Sequence, residues 1–206
     1  MNPNPQALRA TVSRMGPGPA PIVADCPPPW GAADDRPSLR PRPWHGLSPE
    51  DRSRVQDLSV DARQTVYAGA LERALASCEL ADPDQQTGLS LWLGDTPVGF
   101  LVLSRGALVP AWAPQGSAGV SALRIDTRFQ GHGLGQTALR VAESWLAQHW
   151  PACTHLVLSV DESNTVARRA CARVGFMPCQ APRPGRDGAV HDLCKRLGPD
   201  LPLDAG

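Results

Sequence analysis

The chain has 206 residues, enough for one domain of ordinary size plus a tail. Twenty lysines and arginines balance twenty acids, and this zero formal charge excludes a nucleic-acid or membrane-surface binder driven by bulk charge. No apolar run approaches the roughly 18 residues of a membrane span, and the N-terminus lacks an apolar signal-peptide core, so a soluble, cytoplasmic protein is expected.

Residues 1–44 are dense in Pro, Gly and Ala. Proline fixes φ and removes a donor, so neither helix nor ladder propagates, and a disordered tail is expected over this segment. Pro27, Pro28 and Pro29 form either a polyproline ligand or a stretch of solvated tail. "SLRPRPW" has room for a first strand. The folded domain is expected over 45–198, with 199–206 as a short flexible C-terminus.

"LSPEDRSRVQDL" carries a helix start: Ser48 as N-cap, Pro49 in the first position and acids in the first turn. "DARQTVYAGALERALASCEL" (61–80) then places Val66, Ala70, Leu71, Ala74 and Leu75 at the spacing of a second helix. Two β-rich runs flank Gly94, Asp95, Thr96 and Pro97, a hairpin signal, and Trp92 within the first run reads as core. "VPAWAPQGSAGV" is a Pro/Gly-rich loop in which Trp112 either walls a pocket or packs as a loop aromatic.

"GVSALRID" (119–126) reads as a third strand. The segment 134–150 is helical, with Leu134, Ala138, Val141, Ala142, Trp145 and Leu146 on one face and Pro151 as the stop. "THLVLSVD" is a strand, "NTVARRACARVGF" a short helix closed by Gly175, and "FMPCQ" and "AVHDLCKRL" a terminal strand pair. The economical packing is an α/β fold with one mixed sheet and helices on its faces, in which the unit 119–161 is a right-handed parallel crossover.

Between the third strand and the long helix stands "FQGHGLGQTAL". A helix start presents N–H groups without intrahelical partners and the positive end of the helix dipole. Glycines let an anion reach that backbone, so the turn reads as a phosphate cradle. A nucleotide P-loop would need Gly-Lys-Ser/Thr, but Gln136 and Thr137 follow Gly135. A dinucleotide fingerprint is the rival: "GHGLGQ" begins as G-x-G-x-x, and Asp161 ends the next strand, but Gln136 takes the third glycine position.

"ALRID" followed by "TRFQGHGLGQTAL" resembles the GNAT superfamily of acetyl-coenzyme A-dependent N-acetyltransferases. Gln130, Gly133 and Gly135 fit its Arg/Gln-x-x-Gly-x-Gly/Ala motif. Asn164, Ala167 and Gly175-Phe176 match a second family segment, and the similarity covers about residues 47–197. The resemblance implies a mostly antiparallel sheet with one splayed parallel strand pair, and acetyl-CoA as co-substrate. It implies that the backbone of Gln130, Gly131, His132, Gly133, Leu134, Gly135 and Gln136 holds the pyrophosphate. The pantetheine arm would pair with Leu123, Arg124 and Ile125, and Asn164 would touch it from the other side. Histidine titrates near neutrality, but only the backbone is used inside such a turn, so His132 reads as a solvent-facing bystander.

The reaction so implied is attack of a neutral amine on a thioester, helped by proximity and by an N–H donor for the oxyanion. The family's usual general acid is a Tyr seven positions after the Asn, and here that position is Cys171, either a proton donor or a packing residue. The chain's one tyrosine, Tyr67, is distant in sequence. The strand 121–125 carries no carboxylate base; Glu79, Glu162 and a water chain are the alternatives, and Asp126 is expected nearer phosphate than thioester. The expected acceptor is a primary amine of a small molecule, diamines or polyamines included. A protein amine, a non-catalytic acetyl-CoA-binding module and a dinucleotide enzyme are the other readings. No metal, nucleic acid or membrane partner is expected, and monomer and homodimer stay open.

Overall fold

A computed structural model describes residues 38–60, 62–186 and 188–198. The expectations for Pro27–Pro29, for most of the tail and for 199–206 lie outside the described residues. In chain order the elements are β1 (Leu39–Pro43), α1 (Pro49–Gln56), α2 (Ala62–Ala68), α3 (Leu71–Leu80), β2 (Gln86–Leu93), β3 (Thr96–Arg105), β4 (Ser117–Ile125), α4 (Leu134–His149), β5 (His155–Asp161), α5 (Thr165–Val174), β6 (Met177–Pro178), β7 (Arg183–Gly185) and β8 (Gly188–Arg196). The sheet runs β1-β2-β3-β4-β5-β8-β6, with β7 on β8. Every pairing is antiparallel except β4 with β5, the pair joined by the crossover through α4. A doubly wound sheet would need the reverse proportion, so the dinucleotide fold is excluded.

β1 lies inside the segment 1–44, within "SLRPRPW", so sheet structure begins at Leu39. The helix start at Ser48 forms as expected, its hydroxyl accepting the Asp51 N–H at 3.1 Å. The single helix expected over 61–80 is instead two. Gly69 has φ of +75°, outside the right-handed helical region, so the chain leaves α2 there and re-enters a helix at Leu71. Val66 and Ala70, expected on the apolar face, are exposed, whereas Leu71, Ala74 and Leu75 are buried. The terminal strand pair is three strands, β7 and β8 forming an additional hairpin.

Alternation along the strands feeds two cores. On β3, Leu101 and Leu103 pack with Leu139, Trp145 and Leu146 of α4, whereas Phe100 and Val102 pack with Trp44, Val55, Leu75 and Trp92 on the face carrying α1 and α3. Trp92 is fully buried, as its sequence context implies. Each large side chain taken out of water this way contributes about 1.5–3 kcal/mol. A sheet packed on both faces fixes the ends of β4 and β5, where the candidate site lies.

Candidate active site

β4 and β5 pair at Ser117 with His155, Ala118 with Leu156 and Gly119 with Val157, and no further. Beyond those residues β4 continues to Ile125 and β5 to Asp161, so the strands part and leave a wedge between them. A bulge in β4 is the local cause. Phe100 pairs with Arg124 but Val102 with Ser121, so β4 spends one residue more than β3 across that interval. Ala122 sits in the bulge with φ of +53°, a left-handed conformation that alanine adopts at a cost.

The extra residue reverses which way β4 side chains face. Ala118 and Val120 lie in the core under α4, and after the bulge Leu123 and Ile125 do so. Arg124 is thereby turned to the opposite face, beneath α2. It is 2 % exposed; its Nε donates to Ala122 O and its Nη2 to Ala68 O, each at 3.1 Å. Nη1 is buried and has no hydrogen-bond partner among the described residues. Burial pulls its pKa below the usual arginine value, and Glu72 opposes that pull from a distance. Plain alternation through "GVSALRID" gave no sign of the reversal.

The glycine turn follows β4 directly. Asp126 is fully buried and organises the approach. It accepts from the N–H of Ser59 at 3.0 Å, and at 2.9 Å from the N–H of Arg128 and from its Nε and Nη2. Burial pushes the carboxyl up, but the Arg128 side chain and the two backbone donors outweigh it and hold the pKa below the ordinary carboxylate range. Gln130 ties the turn to the strand end, its Nε2 donating to Ile125 O at 3.0 Å. Gly131 and Gly133 have φ of +82° and +78°. The amides of Gln136 and Thr137 return to Gly133 O, so those of Leu134 and Gly135, one step earlier, have no partner within the helix.

Gly135 is the informative glycine. It lies in the first turn of α4 with ordinary helical φ, and a Cβ built on it would meet no protein atom within 4 Å. Neither conformation nor packing requires glycine there, and glycine costs about 1 kcal/mol against alanine in a helix. An outside group approaching the backbone accounts for it. The cradle therefore fits the pyrophosphate of a coenzyme. Leu134 turns its side chain into the core, and His132 is half-buried with Nδ1 3.3 Å from Phe129 O.

The remaining expected residues separate. Asn164 caps α5, its Oδ1 accepting the Ala167 N–H at 3.1 Å. Cys171 is 3 % exposed within the larger core, and burial pushes its thiol up to about 11. Glu79 accepts from Trp44 Nε1 at 2.7 Å and Arg52 Nη1 at 2.8 Å, away from the wedge. Trp112 is half-buried in its loop. Tyr67 is distant in sequence from the rest of the expected site. Yet its hydroxyl lies 3.1 Å from Ser163 Oγ, beside Asn164, so α2 reaches from the β4 side to the loop that follows β5. Among the described residues no group of three potential metal ligands occurs, and no helix is long and apolar enough to cross a membrane.

A family model described as the acetyltransferase (GNAT) family matches residues 52–176. Among solved structures, an aminoglycoside acetyltransferase in complex with coenzyme A aligns with a TM-score of 0.62 at 18 % identity, covering 77 % of this chain and 95 % of that one. An acetyltransferase from Thermus thermophilus aligns at 0.54 and 24 % identity, covering 78 % and 97 %. A spermidine N-acetyltransferase from Vibrio cholerae in complex with CoA and spermine aligns at 0.58 and 15 % identity, covering 78 % and 96 %. Curated protein sequences yield no match.

Proposed function

The chain belongs to the GNAT family of acetyltransferases, which use acetyl-CoA as co-substrate, and from that premise we propose that it acetylates a primary amine of a small molecule. The observation that carries the coenzyme half of this reading is Gly135, a glycine at the start of α4 with open space over it and no internal reason to be glycine. Within the turn Gln130 to Gln136, the amides without a partner in the helix, those of Leu134 and Gly135, hold the pyrophosphate. Leu123, Arg124 and Ile125 offer their backbone to the pantetheine arm in the wedge. The Oδ1 of Asn164 is used in capping, so its amide nitrogen is the part that meets the arm.

Placing amine and thioester side by side supplies most of the rate, and a backbone N–H of β4 at the bulge receives the oxyanion. The proton for the departing thiolate comes from Tyr67 in preference to Cys171. The Tyr67 hydroxyl lies in an exposed contact with Ser163, in the loop after β5, whereas the Cys171 thiol is enclosed in the core and holds its proton until about pH 11.

Thermal unfolding with acetyl-CoA, NAD and ATP, followed by thiol release on an amine panel, tests the reading. The expected result is stabilisation by acetyl-CoA alone, and turnover on a small amine. Stabilisation without turnover on any amine, peptides included, would replace the enzyme with a coenzyme-binding module.

A further inference from the structure

We propose that the amine acceptor of this enzyme carries a carboxylate, and that the buried Arg124 guanidinium binds it. This rests on the acetyltransferase reading and narrows its substrate class to amino acids and related amino carboxylates.

Among the described residues, Arg124 is a cation without an ion-pair partner. Two of its nitrogens are satisfied by neutral carbonyls, Ala122 O and Ala68 O, and Nη1 has no hydrogen-bond partner among the described residues. The ion pairs of the described residues include none with Arg124, and Glu72, which acts on it at longer range, is exposed on the first turn of α3. Burying a charge without pairing it is costly, and a guanidinium is the side chain best shaped to take a carboxylate. A staple between β4 and α2 would need no charge at all. The missing counter-ion is accounted for if it arrives with the substrate.

The location suits the acceptor. The bulge turns Arg124 away from the face of α4, whose N-terminus takes the coenzyme phosphates, and sets it under the last turn of α2. The same turn carries Tyr67, whose hydroxyl reaches the loop after β5. An amino acid whose carboxylate meets Nη1 lies against that turn, with the Tyr67 hydroxyl left in place, and brings its amine toward the wedge. Polycationic acceptors would instead meet a like charge in a site of low dielectric.

The test is thiol release from acetyl-CoA with the full chain on matched probes: L-α-amino acids, their α-amides and the corresponding decarboxylated amines. An amide's amine is less protonated than the amino acid's at neutral pH, so intrinsic reactivity favours the amide and a preference for the acid must come from the site. The expected kcat/KM is at least about 10-fold higher for an amino acid than for its amide. Arg124→Met should bring that ratio within about twofold through the acceptor KM, while Arg124→Lys keeps part of the preference. Amides or amines turned over as well as amino acids by the wild type, or a preference that survives Arg124→Met, would overturn the proposal. If acetyl-CoA binds but no amine is turned over, it is the acetyltransferase reading that fails. Calorimetry of the same amino acids against the CoA-bound protein then decides this one: binding lost in Arg124→Met supports it, and no binding to the wild type refutes it. Melting curves confirm that each variant is folded.

Discussion

Tyr67 and Cys171 compete for one role, and their surroundings separate them. Tyr67→Phe removes a hydroxyl that touches Ser163 and little packing, so it should lower kcat at least about 10-fold with the acetyl-CoA KM unchanged. Cys171→Ala removes a core sulfur, costs about 1–2 kcal/mol of stability and should leave kcat within about threefold. Single-turnover rates with both variants check this, and the reverse pattern would return the role to the thiol. Ala122 offers a second contrast. A β-branched residue at φ of +53° is strained, so Ala122→Val should cost about 1–3 kcal/mol in urea unfolding, and a cost near zero would show that the bulge is soft.

At the scale of elements, the parts readable from sequence are those set by neighbouring residues. The cap at Ser48, the turn at Gly94 and Asp95, the stop after α4 and the glycine turn each follow from a few adjacent side chains. What escaped the sequence depends on distant partners or on one residue's conformation. Gly69 split a helix whose apolar spacing looked continuous, and the bulge at Ala122 reversed the faces of β4. Tyr67 meets Ser163 across 96 positions, a separation that periodicity cannot bridge.

The joins between elements rest on buried carboxylates, and this sets a pH dependence. Asp126 binds β4 to the turn and to Ser59; Asp192 holds β8 to Ser159, Gln180 and Arg183. In both, hydrogen bonds and the neighbouring arginine outweigh burial and hold the pKa below the ordinary range. The unfolded carboxyl, with a pKa near 4, then takes up a proton before the folded one does. The stability these groups contribute is therefore complete above about pH 4 and is lost as the pH falls through their folded pKa values. Urea unfolding between pH 7 and 2.5 should show a flat upper limb and a decline below about pH 4 that Asp126→Asn makes shallower. A decline already under way at pH 6 would point to other groups.

The molecule as a whole divides its labour along one sheet. Two packed faces hold β4 and β5 rigid where they pair, and a single bulge parts them where they do not. The positive end of α4 stands at the mouth of the wedge on one side, and α2 crosses it on the other. On the proposed reading, coenzyme and acceptor take opposite approaches.

Calorimetric titration of acetyl-CoA into wild type and Gly135→Val tests the centre of this account. Valine costs a helix no more than glycine does, and its Cβ meets open space, so the melting temperature should be unchanged or higher. The affinity for acetyl-CoA should fall at least about 10-fold, equivalent to about 1.4 kcal/mol. A folded Gly135→Val protein that binds acetyl-CoA as tightly as wild type would contradict it.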